Sequence, residues 1–177
     1  GAITGRITPD IGPPVVAPLL QILRGDGRVN ELIGQSHHTM ANPSGSGPDW
    51  LILSTVTYDQ VYVFSGTDGG LLQDAGTLSP SVSVTDNAFG IALCSNFNAA
   101  SGQVDLFVTD TNPAQAAGDP ARAFFFEFDG TSLVERSVVT GRNAFGRNCA
   151  GVGSYVSTTE SAFVISATAE GAGILVR

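Results

Sequence analysis

The chain contains no lysine: its eight basic residues are all arginine, set against sixteen acidic ones for a net charge of −8. A surface of that sign repels a phosphate backbone, which argues against nucleic-acid binding through a basic face. Histidine is scarce as well. The two present, His37 and His38, are adjacent, and neighbours on a strand point to opposite faces, so the pair cannot grip one metal ion from one side. No stretch approaches the roughly 20 apolar residues that a membrane helix needs. Gly1 is not followed by the charged start and apolar core of a secretory signal, which leaves a mature exported chain or one that never carried a signal. Two cysteines in 177 residues do not make a disulfide scaffold. No serine, histidine and acid arrangement, paired-carboxylate motif or phosphate loop stands out, so an enzyme has no positive support.

What is present points to β structure. A hydrophobic content of 42% is enough for a buried core, and 22 glycines with 9 prolines suit many short strands joined by tight turns. No window sustains apolar residues at helical spacing, with Val15 to Leu23 the one place where helix competes. Pro9, Pro13 and Pro14 make residues 1–14 an extended N-terminal arm. Residues 15–33 read as strand, turn and strand around Arg24-Gly25-Asp26-Gly27-Arg28. The arginine-glycine-aspartate triplet within that turn spells an integrin-binding motif, but a hairpin turn accounts for it without a partner.

The rest of the chain repeats. Asn87-Ala88-Phe89-Gly90 returns as Asn143-Ala144-Phe145-Gly146, and an equal step backward from Phe89-Gly90 reaches Ile33-Gly34. The same step relates Asp49-Trp50-Leu51-Ile52-Leu53 to Asp105-Leu106-Phe107-Val108-Thr109 and to Ser161-Ala162-Phe163-Val164-Ile165. Two landmarks sharing one period over three copies signal a solenoid, propeller or array. The expected fold is all-β, a single β-propeller-like domain over 15–177 made of blades of about four antiparallel strands. Its three tandem repeats lie near 34–89, 90–145 and 146–177, with 15–33 as a displaced blade hairpin. The aromatic run Phe124 to Phe128 reads as a strand buried on both faces by neighbouring blades.

These landmarks resemble the FG-GAP repeat, the blade unit of integrin α-subunit propellers and of many exported bacterial proteins. The resemblance lies in Phe89-Gly90 and Phe145-Gly146, in the strand Asp105-Leu106-Phe107-Val108, and in the hairpin Val61 to Leu72. It implies an exported, extracellular or cell-surface propeller and a calcium loop before the Asp105 strand. The residues at that loop are Asn96, Asn98 and Asp105. Calcium takes six to eight oxygens, and two amides with one carboxylate make a poor cage; a glycine turn whose polar side chains bond their own backbone is the stronger reading. No cofactor other than calcium is implied. Acids at Asp59, Asp68, Asp74, Asp86, Asp110, Asp119, Asp129 and Glu135 read mostly as turn caps.

Cys94 and Cys149 occupy nearly matching places on the innermost strands of consecutive blades. A disulfide between them and a pair of buried thiols are both open at this point. Three units cannot close a propeller, which needs at least four blades. Either the chain is a piece of a longer propeller, or strands are exchanged between copies, with Val15, Val16, Leu19, Leu20 and Ile22 of one copy completing the blade that carries Ile174, Leu175 and Val176 of another; exchange is the expectation taken forward. The expected function is a non-catalytic structural or adhesion protein whose partner is itself, as a closed ring or filament, together with a cell-surface glycan or protein. A carbohydrate-binding lectin is the alternative, though Trp50 has no aromatic counterpart at Leu106 or Ala162.

Overall fold

Short apolar runs ending at glycine turns fold into eleven strands, with no α-helix among the described residues. The structure, a computed structural model, describes residues 21, 23–27, 33–55, 58–82, 89–98, 101–111, 121–141, 145–153, 162–167 and 172–176. The first sheet runs β1 (His37–Met40), β2 (Trp50–Thr55), β3 (Gln60–Gly66) and β4 (Leu72–Leu78). The middle sheet runs β5 (Phe89–Asn98), β6 (Gln103–Asp110), β7 (Ala121–Phe128) and β8 (Leu133–Gly141). The third holds β9 (Phe145–Gly151), β10 (Phe163–Ala167) and β11 (Ala172–Val176). In each sheet, strands consecutive in the chain pair antiparallel, as a meander. Each strand returns beside the one before it, so all pairing within a sheet is between sequence neighbours.

The middle sheet is sandwiched. On β6, successive side chains alternate between faces, so Leu106 and Val108 join Met40, Ile52, Val61 and Val63 in one buried cluster. Phe107 instead joins Phe145, Phe163 and Ile165 in the other. Aromatic rings fill both layers: Phe89 meets Phe124 edge-on at 5.1 Å between centroids, and Phe107 lies 4.3 Å from Phe163. Such pairs add about 0.5–1.5 kcal/mol each beyond the area they bury. Phe124 and Phe126 are buried toward the first sheet while Phe125 packs toward the third, so β7 is covered on both faces. Among the described residues the three sheets do not close into a barrel or ring.

The hydrogen-bond register corrects the repeat alignment. His37 pairs with Leu53, Leu93 with Val108, and Cys149 with Ile165. The first-strand members of these pairs, His37, Leu93 and Cys149, keep the step set by the Phe-Gly pairs. Among their partners, Ile165 is in phase with Leu53, but Val108 comes one residue early. The counterpart of Leu51 is therefore Leu106, and that of Trp50 is Asp105. A slip of one residue exchanges the two faces of a strand, so aligning Trp50 with Leu106 assigns them to the wrong ones. Of the self-assembly residues, Val15, Val16, Leu19, Leu20 and Ile22 lie outside the described residues.

Candidate functional site

The repeated chemistry lies in the two seams between sheets, and each seam begins at the glycine of a Phe-Gly pair, Gly90 or Gly146. Gly34, Gly90 and Gly146 are evenly spaced and have φ of +84°, +91° and +84°, a backbone that side-chain-bearing residues rarely adopt. At Gly90 a Cβ would lie 2.7 Å from the Ser54 Cβ and 2.9 Å from a Val61 methyl. At Gly146 it would lie 3.1 Å from the Thr109 Cβ and 2.8 Å from the Thr111 hydroxyl. In both seams the glycine lets the entering strand press on the second strand of the preceding sheet.

A hydroxyl on that second strand then ties each sheet to its own first strand. Ser54 Oγ accepts from Ser36 N at 2.9 Å, Thr109 Oγ1 from Ala92 N at 3.1 Å, and Ser166 Oγ from Asn148 N at 2.9 Å. The donors are as evenly spaced as the glycines, and the acceptors follow the corrected register. Further bonds cross the seams. Asp59 Oδ1 accepts from Phe89 N at 3.2 Å, Thr111 donates to the Phe145 carbonyl, and His38 Nε2 meets Ser95 Oγ at 2.7 Å. Burial, and then the neighbouring His37, hold His38 below its ordinary pKa. Burial raises Asp59 above the usual carboxylate range, against the lowering effect of its bond to Phe89 N.

Cys94 on β5 and Cys149 on β9 form a disulfide with Cα atoms 5.8 Å apart. It joins the first strands of the middle and third sheets, so the second seam carries a covalent clamp. The calcium-loop residues do not converge. Asn96 faces the third sheet, donating to the Gly153 and Ala162 carbonyls and accepting from Gly153 N at 3.0 Å. Asn98 Nδ2 touches Asp105 Oδ2 at 3.4 Å. The geometry thus brings Asn98 and Asp105 together and spends Asn96 on the seam. Among the described residues no group of three or more His, Cys, Asp or Glu side chains could hold a metal.

Two further readings change. Asp110 does not cap a turn: it lies buried on β6 with Arg122 Nη1 at 3.7 Å. Glu135 lies on β8 and accepts from Ser81 N at 3.1 Å and from the Ser81 hydroxyl. Asp129 does cap its turn, accepting from Ser132 N and Thr131 N, and those bonds hold its carboxyl below the usual range. Trp50 packs edge-on against Phe128 at 5.8 Å.

The outer faces differ from the seams. Ile33, Gly34, Leu51 and Leu53 are half-buried, whereas their counterparts Phe89, Phe145, Leu106, Val108, Phe163 and Ile165 are no more than 1% exposed. On the third sheet Val164 and Ser166 line a shallow groove of about 240 Å³, while the corresponding Phe107 and Thr109 are buried. Ile174 and Leu175 on β11 are 37% and 41% exposed, Val176 is half-buried against the second cluster, and β11 pairs only with β10 among the described residues. The recurring hydroxyls were missed in the sequence, where serine and threonine are too common to stand out until their register is known. No protein-family model matches the chain, and no curated protein matches it significantly.

Proposed function

We propose that the chain is a non-catalytic extracellular structural or adhesion protein, a propeller-type array of FG-GAP-like blades that self-assembles by exchanging blade strands between subunits. The observation that carries the proposal concerns Gln21 and Asp26. Gln21 exchanges two hydrogen bonds with the Leu72 backbone, at 2.6 and 2.8 Å, and Asp26 N donates to the Tyr62 hydroxyl at 3.0 Å. These contacts reach β4 and β3 of the first sheet. Ser81, just past β4, reaches β8 of the middle sheet in the same way. Gln21 and Asp26 thus stand to the first sheet as the end of a fourth strand stands to the sheet that follows it. Among the described residues the third sheet has three strands, and its last, with Ile174 and Leu175 exposed, is the kind of edge that receives such a strand.

The test is competition by a synthetic peptide of residues 15–28 added in excess to the assembled protein. Strand exchange requires the peptide to bind and lower the particle mass in native mass spectrometry. Assemblies that persist without bound peptide would contradict it.

A lectin is the second reading, favoured by one place. Phe97, 51% exposed, borders a cleft of about 130 Å³ lined also by Asn42, Ser46 and Asp49, the mixture of ring face and polar groups that suits a sugar. Its counterpart one repeat further on is Gly153, so the arrangement does not recur. Glycan-array binding abolished by Phe97→Ala would shift the assignment to this reading.

A further inference from the structure

The two seams are held to different degrees. Among the described residues the buried cluster of the first has fourteen members, five from the first sheet and nine from the middle one, and none is alanine. That of the second has eight, four from each side, and three of them are Ala121, Ala123 and Ala167. Apolar stabilisation follows the area removed from water, and a buried methyl contributes far less than a phenyl or isobutyl group. The third sheet therefore adheres mainly through Phe145, Phe163 and Ile165. Among the described residues no strand ladder crosses either seam, so a sheet can leave its neighbour with its own pairings intact. The bonds of Asn96 to Gly153 and Ala162 and of Thr111 to Phe145 do cross the second seam. Departure exchanges each of them for a bond to water, which makes their net contribution small.

The seam with the smaller core is the one that carries the covalent clamp. Cys94 is itself a buried member of the second cluster, Cys149 is half-buried against it, and the chain has no other cysteine. We propose that this disulfide is a redox-sensitive latch: oxidised, it holds the third sheet on the middle one, and its reduction releases β9, β10 and β11 while the first and middle sheets stay packed together. The reductant is a dithiol. Its thiolate attacks Cys149 Sγ, the more exposed sulfur, and the electron pair of the sulfur–sulfur bond passes to Cys94, which leaves and takes up a proton. The reductant's second thiol then displaces Cys149, which is protonated in turn, and the reductant ends as its own disulfide. Two electrons and two protons have then passed to the protein. Release uncovers the face of the middle sheet that carries Phe107 and Ala123, so the redox state of the compartment decides whether that apolar face is covered. The latch rests on contacts within one subunit and does not depend on the self-assembly proposed above.

The test is amide hydrogen exchange of the full chain, read by mass spectrometry with and without dithiothreitol, for which this cysteine pair is the one target. Alkylation mass reports the state of the pair, and a Cys94→Ala/Cys149→Ala double variant supplies the unlatched side of the comparison without reagent. Exchange in β9 and β10 is expected to rise about 30-fold or more on reduction, the lower end of what a cross-link over such a loop contributes. Protection in β2, β3 and β6 should stay unchanged, and reoxidation should restore β9 and β10. Full protection of the third sheet in the unlatched chain would show that packing alone holds it and would overturn the latch. An equal rise in all three sheets would overturn it as well, because the chain would then open as one unit.

Discussion

Alanine at Gly90 and at Gly34 should have unequal costs, although the two positions share a backbone conformation. Both glycines have positive φ, and moving an alanine into that region costs about 1–2 kcal/mol. The smaller unfolded-state entropy of alanine recovers roughly 0.4–1 kcal/mol at either site and cancels in the comparison. At Gly90 the new Cβ would also fall within 3 Å of two side-chain atoms, the Ser54 Cβ and a Val61 methyl, both in the buried seam. Inserting a carbon into a packed core of this kind costs about 1–3 kcal/mol. At Gly34 no atom is there to be displaced. Guanidinium unfolding followed by Trp50 fluorescence and circular dichroism, at a concentration low enough for the chain to be monomeric, should therefore show Gly90→Ala less stable than Gly34→Ala by about 1–3 kcal/mol. Equal losses at the two sites would refute the claim that the glycine exists for close packing between sheets.

Other outcomes follow from the same contacts. Replacing Cys94 and Cys149 together by alanine removes a cross-link spanning 55 residues and should lower unfolding stability by about 2–4 kcal/mol; a loss below that range would mean that the clamp adds little to the seam's packing. Because His38 titrates below its ordinary value, the unfolded chain binds that proton first. Its contribution is present above pH 6.5 and is lost as pH falls toward the folded value; His38→Gln should flatten the stability-against-pH curve in that interval, and an unchanged curve would contradict this. Asp59 has the opposite sign: its raised pKa means that ionisation costs stability as pH rises through the folded value, and acidification relieves the cost. Asp59→Asn keeps an acceptor for Phe89 N and should be more stable than wild type at neutral pH, with the advantage gone below about pH 3.8; no gain at neutral pH would show that the carboxylate is solvated where it stands.

The strands were legible because glycine turns interrupt apolar runs at short intervals, and the period was legible because Phe89-Gly90 and Phe145-Gly146 are conspicuous pairs. The register of the second strands was not. From His37 to its partner Leu53 is one residue longer than from Leu93 to Val108, a difference absorbed between first and second strands, so a fixed period followed from the Phe-Gly pairs runs out of phase there. The placement of Cys94 and Cys149 on neighbouring first strands was readable from their distance to the Phe-Gly pairs, but the bond between them depends on the approach of β5 and β9. Asn96 shows the same limit. Its type and spacing spell a loop ligand, and only the proximity of Gly153 and Ala162 shows its amide bound across the seam.

The central proposal, that this all-β chain functions by joining copies of itself, is tested most directly by the mass of the native particle in solution across a range of concentrations, by light scattering with electron microscopy of the same sample. Multiples of 18.2 kDa, seen as discrete rings or extended filaments, are the expected result. A single species of monomer mass at every concentration would contradict it.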